Sequence, residues 1–343
     1  MRHHFTSALL LIILISVTIF GCQQQETSTS NRVPKGKVSL GGELRTPIAE
    51  LMKTYEPASM AGRSSNAVGV HLHEGLVRLH PETSELVPGL AESWSVEEGG
   101  NAYVFNLRKR ALFHHSDWFS SRSREATSKD VVYSFKVLAR EASQELFSAT
   151  LKGRVVGAED YRGGENELSG VEVLDDYTIR IKLEKADQSF LQILTAPAFG
   201  VIPDGSAEDN QIGSIGAGPF MMAAGESGLT LVRNPDYFGQ DEFENNFPYL
   251  DTLVFIELTQ NTERLDAFFN GQIDIVPNLE LDPIREVLER HVPEFSGKAP
   301  KYVLKRESDI ASYDTYSIFD SRVKNLGSGF MGYRDFSRVQ IEQ

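Results

Sequence analysis

Residues 171–183 read Val171-Glu172-Val173-Leu174-Asp175-Asp176-Tyr177-Thr178-Ile179-Arg180-Ile181-Lys182-Leu183. Ile179, Ile181 and Leu183 alternate with Arg180 and Lys182. A period of two puts apolar side chains on one face of a strand and charge on the other. Val171 to Leu174 supplies a partner strand, and Asp175-Asp176 supplies the turn, so the stretch predicts a β-hairpin. Upstream, Ala102 to Arg108 is close to alternation and reads as another strand. Ser128 to Ala139 continues helically behind Thr127 and Ser128, either of which suits an N-cap. Pro88 to Trp94 reads as a turn and a short apolar segment. Val68 to Leu79 is mainly helix into strand, and Gly41 to Arg45 is a short strand behind a Gly pair. Downstream come a short helix at Ser189 to Leu194 and a second hairpin within Phe220 to Val232. A strand at Thr252 to Glu257 follows, then a helix at Asn261 to Asn270 closed by Gly271, and a strand at Gln272 to Val276. Strands and helices without a strict βα repeat predict an α+β or mixed α/β fold.

The N-terminus sets the compartment. Arg2, His3 and His4 precede the apolar run Ala8 to Phe20, which is 13 residues long. A membrane-spanning helix needs about twenty residues. A short apolar run behind a basic start is the central region of a signal peptide, assigned here to residues 1–21. Ile19-Phe20-Gly21-Cys22 resembles the bacterial lipobox, with Gly before Cys and an aliphatic residue at −3, although Phe20 stands where a small residue is preferred. Cys22, the only cysteine, is the expected lipidation site, and no intramolecular disulfide is possible. A buried core thiol is the competing reading. The polar QQQETSTSN that follows opposes it. Residues 22–38 are expected to be the lipidated Cys and a flexible tether, too polar to offset their ordering entropy. The net charge of −14 argues against a nucleic-acid partner, which would need a basic stripe. The 343 residues suffice for two lobes with separate cores.

A set of short phrases then falls in one order: GGELR (41–45), EGLV (74–77), LVPGLAESW (86–94), YVFNLR (103–108), FH (113–114), TSKDVVYSF (127–135), GAGPF (216–220), RNPDYF (233–238) and GQIDI (271–275). In this order they resemble the family 5 solute-binding proteins, the dipeptide, oligopeptide and nickel receptors of ABC importers. The resemblance runs from Gly41 to about Val276 and covers the last twenty residues. It implies an α/β fold of the class II periplasmic-binding-protein type, two lobes of mixed sheets, with the C-terminal lobe largely missing. Tyr302-Val303-Leu304 is similar to the start of that third region, while Val323 to Leu326 and Tyr333 to Val339 are similar to the C-terminal strand that returns to the first lobe. The resemblance thus implies a first lobe of residues 39–67, 190–280 and 320–343. An inserted second subdomain takes 68–189, and 281–319 is a shortened remnant of the third region. The acidic residue that relatives carry in the missing lobe to pair with a peptide's amino group has no counterpart here.

The same resemblance implies a substrate-binding lipoprotein that captures oligopeptides or a related small solute by hinge closure. It would deliver them to ABC permease and ATPase subunits, as a monomer lipid-anchored at the periplasmic side or cell surface of a bacterial membrane. The alternative is a vestigial or structural surface lipoprotein that has lost transport. Ala61, Gly62 and Arg63 match the stretch that edges the ligand cleft; an ordinary exposed loop is the other reading of them. Phe147 matches a cleft aromatic, and a core Phe on an amphipathic helix is equally compatible with its spacing. Gly216, Gly218 and Pro219 match the crossover near the hinge, a role compatible with a simple turn between strands.

No cofactor is expected. His71 and His73, which on a strand would share a face, do not combine with His80, His114 and His115 into the tight spacing of a zinc site. Asp241-Glu242-Phe243-Glu244 lacks the glycine of a calcium loop. Gly-x-Ser-x-Gly is absent, and no Gly-rich phosphate loop precedes a helix, so nothing supports an enzyme.

Overall fold

The computed structural model describes residues 32–81, 83–208, 215–223, 229–279, 285, 287, 289–308, 314–326 and 334–342. The expected leader and Cys22 lie outside them. The chain opens with β1 (Glu43–Ile48), α1 (Arg63–Leu72), β2 (Val77–Leu79), β3 (Leu86–Pro88), β4 (Ala91–Glu97) and β5 (Ala102–Leu107). Next come α2 (Ser128–Glu141), α3 (Gln144–Thr150), α4 (Ala158–Arg162), β6 (Val171–Asp175), β7 (Thr178–Lys182) and α5 (Phe190–Ile193). They are followed by β8 (Phe220–Met222), β9 (Leu229–Arg233), β10 (Thr252–Glu257), α6 (Asn261–Phe269) and β11 (Ile275–Leu279). The described chain ends with β12 (Tyr302–Ser308), β13 (Asp314–Asp320), β14 (Val323–Lys324) and β15 (Gln340–Ile341).

The hairpin that opened the sequence reading is β6–β7, and it extends an antiparallel sheet ordered β4-β5-β7-β6. Phe105, Ile179 and Ile181 point to its buried face, where α2 covers them with Val131, Phe135 and Leu138. The strand β4 replaces the turn and apolar segment expected at 88–94. Of its seven residues only Ala91 is buried, so its sequence carries no alternation to detect. Phe190, Leu194, Phe199 and Val201, expected with the first lobe, place their side chains in this same core.

A second sheet, ordered β1-β10-β9-β8, is mixed. Its edge strand β1 pairs in parallel with β10, with Glu43 opposite Thr252 and Ile48 opposite Glu257. Leu44, Leu231, Leu253 and Phe255 form its inner face. Val68 and Leu72 of α1 cover it, together with the returning C-terminal residues Val323, Phe336 and Val339. The last segment thus shares one core with β1, β10 and α1. A third sheet, β11-β13-β12, packs with α6 into a smaller core of Leu265, Phe268, Val276, Leu279, Tyr302 and Ile318.

Three expectations are corrected. The tether ends before Arg32: its guanidinium donates to the Pro248 and Tyr249 carbonyls at 2.9 and 2.7 Å and pairs with Asp251 at 2.7 Å. Asn245 further clamps the Lys35 backbone from both sides. The strand expected from Gln272 begins at Ile275. The Gly271 and Gln272 N–H groups close α6 onto Phe268 and Ala267, with Gly271 at φ +70°. His71 and His73 are not on a strand: His71 lies in the last turn of α1 and His73 is its C-cap.

Candidate functional site

Two cavities, both open to solvent, flank the first lobe. They differ in what their charges do.

The first lies where the mixed sheet meets α6 and β11. Edge strand β1 contributes Thr46 to Ile48, α1 contributes Arg63 and Ala67, and Phe255 and Phe336 form apolar walls. Arg264, Asn278 and Arg334 complete it. The first turn of α1 holds no acidic residue, and the Ser65 hydroxyl is engaged with the Gly62 backbone. The positive end of that helix therefore opens here without an internal counter-charge. Of the expected stretch 61–63 only Arg63 lines this cavity; Ala61 and Gly62 are exposed immediately before it and outside its lining.

Three guanidinium groups line the cavity, and among the described residues no Asp or Glu does. Arg63 is exposed and makes no hydrogen bond or ion pair among the described residues. Arg264 spends only its Nε, donated to the Leu258 carbonyl at 2.8 Å, and burial lowers its pKa from the usual arginine value. Arg334 is buried and donates to Ser317 Oγ at 2.9 Å. Neither Arg264 nor Arg334 was singled out from the sequence. Each is a lone arginine amid ordinary polar spacing, and only the fold makes them converge.

The second cavity is self-neutralised. Tyr237 donates to Glu74 Oε2 at 2.8 Å; Arg78 lies 3.8 Å from Glu74 and 3.6 Å from Asp335. Burial raises the Glu74 carboxyl pKa, with Arg78 and Tyr237 opposing. Its charges already have partners, so it is the weaker candidate for capturing a charged solute.

Pro219 lines this second cavity, and the stretch around it runs between two cores. Ala217 packs in the second subdomain's core and Phe220 in that of the first lobe. Leu72 and Leu76 make the opposite crossing beside it, joined by the Gly218 N–H to the Leu72 carbonyl at 3.0 Å. A β-carbon on Gly216 would stand 2.0 Å from that carbonyl, and one on Gly218 2.5 Å from the His71 carbonyl. Close approach of two backbones requires glycine at both positions. The structure does not bring this crossover to the cavity of Arg63. Phe147 joins neither: its ring is 2% exposed inside the second subdomain's core, under the Arg162 guanidinium at 4.6 Å.

Comparison with known proteins supplies the context. The family model "Bacterial extracellular solute-binding proteins, family 5 Middle" matches residues 85–314. The di/tripeptide-binding protein 1 of Pseudomonas aeruginosa (strain UCBPP-PA14) is 26% identical over 258 residues, covering 71% of this chain and 46% of that protein. The dipeptide-binding protein of Escherichia coli (strain K12) is 29% identical over 226 residues, covering 63% of this chain and 41% of that protein. Among solved structures, the ABC transporter-associated periplasmic binding protein DppA from Helicobacter pylori in complex with peptide STSA superimposes with a TM-score of 0.64 at 23% identity. That match covers 79% of this chain and 51% of that one. The chain spans about half the length of the relatives it matches.

Proposed function

From the premise that this chain belongs to the family 5 bacterial extracellular solute-binding proteins, we propose that it is the substrate-binding lipoprotein of an ABC importer. It is held outside the cytoplasm by acylated Cys22, and its ligand is an oligopeptide or a related small solute. The ligand sits in the cavity of Arg63, with Ala61 and Gly62 offering backbone at its rim. The observation that carries this reading is the position of that cavity. It opens along edge strand β1 at the seam between two cores, where Ile275 and Phe319 face one core and Val276 and Ile318 the other across the paired strands β11 and β13. An extended peptide adds to a sheet edge through main-chain hydrogen bonds, which gives affinity with broad side-chain tolerance. A seam between cores is where contacts to both sides favour a closed form, and ligand shifts that equilibrium by its differential affinity. Gly216, Gly218 and Pro219 serve as the crossover between first lobe and second subdomain. Delivery to permease and ATPase subunits follows from the family's role.

Calorimetric titration of the full chain with di- to hexapeptides tests this. Dissociation constants in the micromolar range or tighter are expected. Flat titrations across the whole set would replace this reading with that of a structural surface lipoprotein.

A further inference from the structure

Arg45 meets Asp274 at 2.9 Å, and Arg154 meets Asp187 at 2.9 Å. Arg78 meets its carboxylates differently. Its Nε stands 3.8 Å from Glu74 Oε1 and its Nη1 3.6 Å from Asp335 Oδ2, both beyond the length of an N–H···O bond. Its one hydrogen bond among the described residues runs from Nε to the Pro88 carbonyl and is stretched to 3.4 Å. The Nη donors therefore have no acceptor at bonding distance among those residues. Glu74 is 4% exposed; its Oε2 accepts from Tyr237, and its Oε1 has no hydrogen-bond partner among the described residues. Asp335 engages Oδ1 with the Ser337 N–H at 2.7 Å and leaves Oδ2 across the 3.6 Å gap from Arg78. Enclosed polar groups are normally paired, so this gap marks a place for a polar group that the chain itself does not supply. All three side chains line the second cavity, beside an apolar wall of Val70, Val77 and Leu79. Arg108 acts on Glu74 from outside the lining, so two cations face two carboxylates and the formal charges cancel.

We propose that this cavity is a separate ligand site for a small neutral amide, whose carbonyl accepts from the Arg78 Nη groups, whose N–H donates to Asp335 Oδ2, and whose apolar substituent packs on Val70, Val77 and Leu79. An amide's oxygen and nitrogen lie about 2.2 Å apart. Set edge-on to a donor and an acceptor 3.6 Å apart, it makes two near-parallel hydrogen bonds of ordinary length. Each bond has one ionised partner, which about doubles its strength over a neutral pair. A carboxylate in that place would face Glu74 and Asp335, and an ammonium would face Arg78 and Arg108, so the balanced charges select against ions of either sign. The site adjoins both larger cores: Val77 belongs to one, and Asp335 precedes Phe336 of the other. It is independent of the cavity of Arg63 and of the reading given to that cavity. A neutral amide reaches such a site in two ways, as a free carboxamide or as the backbone amide of a peptide.

The test is methyl NMR on the full chain labelled at Val and Leu. The probes are benzamide, its charged counterparts benzoate and benzylamine, and N-acetylleucine amide as a peptide-like source of the same group. Benzamide is expected to shift the Val77 and Leu79 methyl resonances with a dissociation constant of about 1 mM. Benzoate and protonated benzylamine are expected to act on those methyls at least about tenfold more weakly. A response to N-acetylleucine amide as well supports the site with a peptide amide as its source; a response to benzamide alone supports it with a free carboxamide. R78K keeps the charge and removes the planar fork, and is expected to weaken benzamide by about tenfold. V70F fills the cavity from α1 and is expected to abolish the response. Unmoved Val77 and Leu79 methyls with both amides up to about 10 mM, the result if water alone bridges Arg78 and Asp335, overturn the proposal. Equal action of either charged probe on those methyls, or a benzamide response that survives both variants, overturns it too. Flat peptide titrations bear only on the cavity of Arg63, so the two readings fail separately.

Discussion

At the residue scale, His71 lends itself to test because its imidazole is fully buried. Among the described residues neither ring nitrogen has a hydrogen-bond partner, and the ring stacks on Phe336 at 5.2 Å with Phe220 edge-on at 5.6 Å. Desolvation in this aromatic cage depresses its pKa to about 4, with Asp335 opposing weakly. The folded state therefore refuses a proton that the unfolded chain accepts. Its contribution to stability is full above about pH 6.5 and is lost as pH falls toward 4. Between pH 7 and 5 that loss is on the order of 2 kcal/mol. His71→Phe is expected to keep or raise stability at pH 7, because an unpartnered buried polar group is removed. It should also cut the drop between pH 7 and 5 by that amount. Urea midpoints of wild type and variant at the two pH values check it, and an undiminished drop would sink the account. His73, held lower still at about 3 by burial, retains its own share of the acid sensitivity in the variant.

At the scale of elements, the helix α2 shows how a legible start signal gains depth from the fold. Thr127 was a visible N-cap. Asp130 completes the box by accepting from the Thr127 N–H at 2.7 Å. The same carboxylate, fully buried, also accepts from the Asp204 N–H at 2.8 Å and is gripped by Arg124. One side chain thus caps a helix and ties down a loop 74 residues away. Asp130→Ala leaves a cation and backbone donors without their acceptor. A loss of about 3 kcal/mol is expected in chemical denaturation, well beyond the roughly 1 kcal/mol of an isolated cap. A loss confined to the smaller figure would show that the tertiary contacts carry no weight. The strand β4 marks the opposite case: an edge element with one buried residue leaves no pattern in sequence.

At the scale of the molecule, the question is whether the cores unfold together. Ala58 packs in the second subdomain's core and Met60 in that of the first lobe; the chain then crosses again at Leu72 to Leu76 and at Ala217 to Phe220. Such interleaving couples the two cores through short, close-packed links. Trp94 and Trp118 both border the second subdomain's core, so tryptophan fluorescence reports on that core alone while circular dichroism reports on all sheets. The two denaturation curves of the full chain are expected to coincide, as a two-state transition requires. Separated midpoints would mean that the subdomain folds independently. Much of this architecture was legible in the residues themselves. The alternation at 178–183, the cap at 127 and the glycine closing α6 are local signals, since backbone preference and side-chain period act over a few neighbours. The order of short phrases identified the family. The tertiary structure alone decided that β1 pairs with β10, that Phe147 faces inward, that Arg32 is docked, and that Arg63, Arg264 and Arg334 share one cavity. Those facts depend on contacts between residues far apart in the chain, and no local pattern encodes which distant side chains will meet once the cores close.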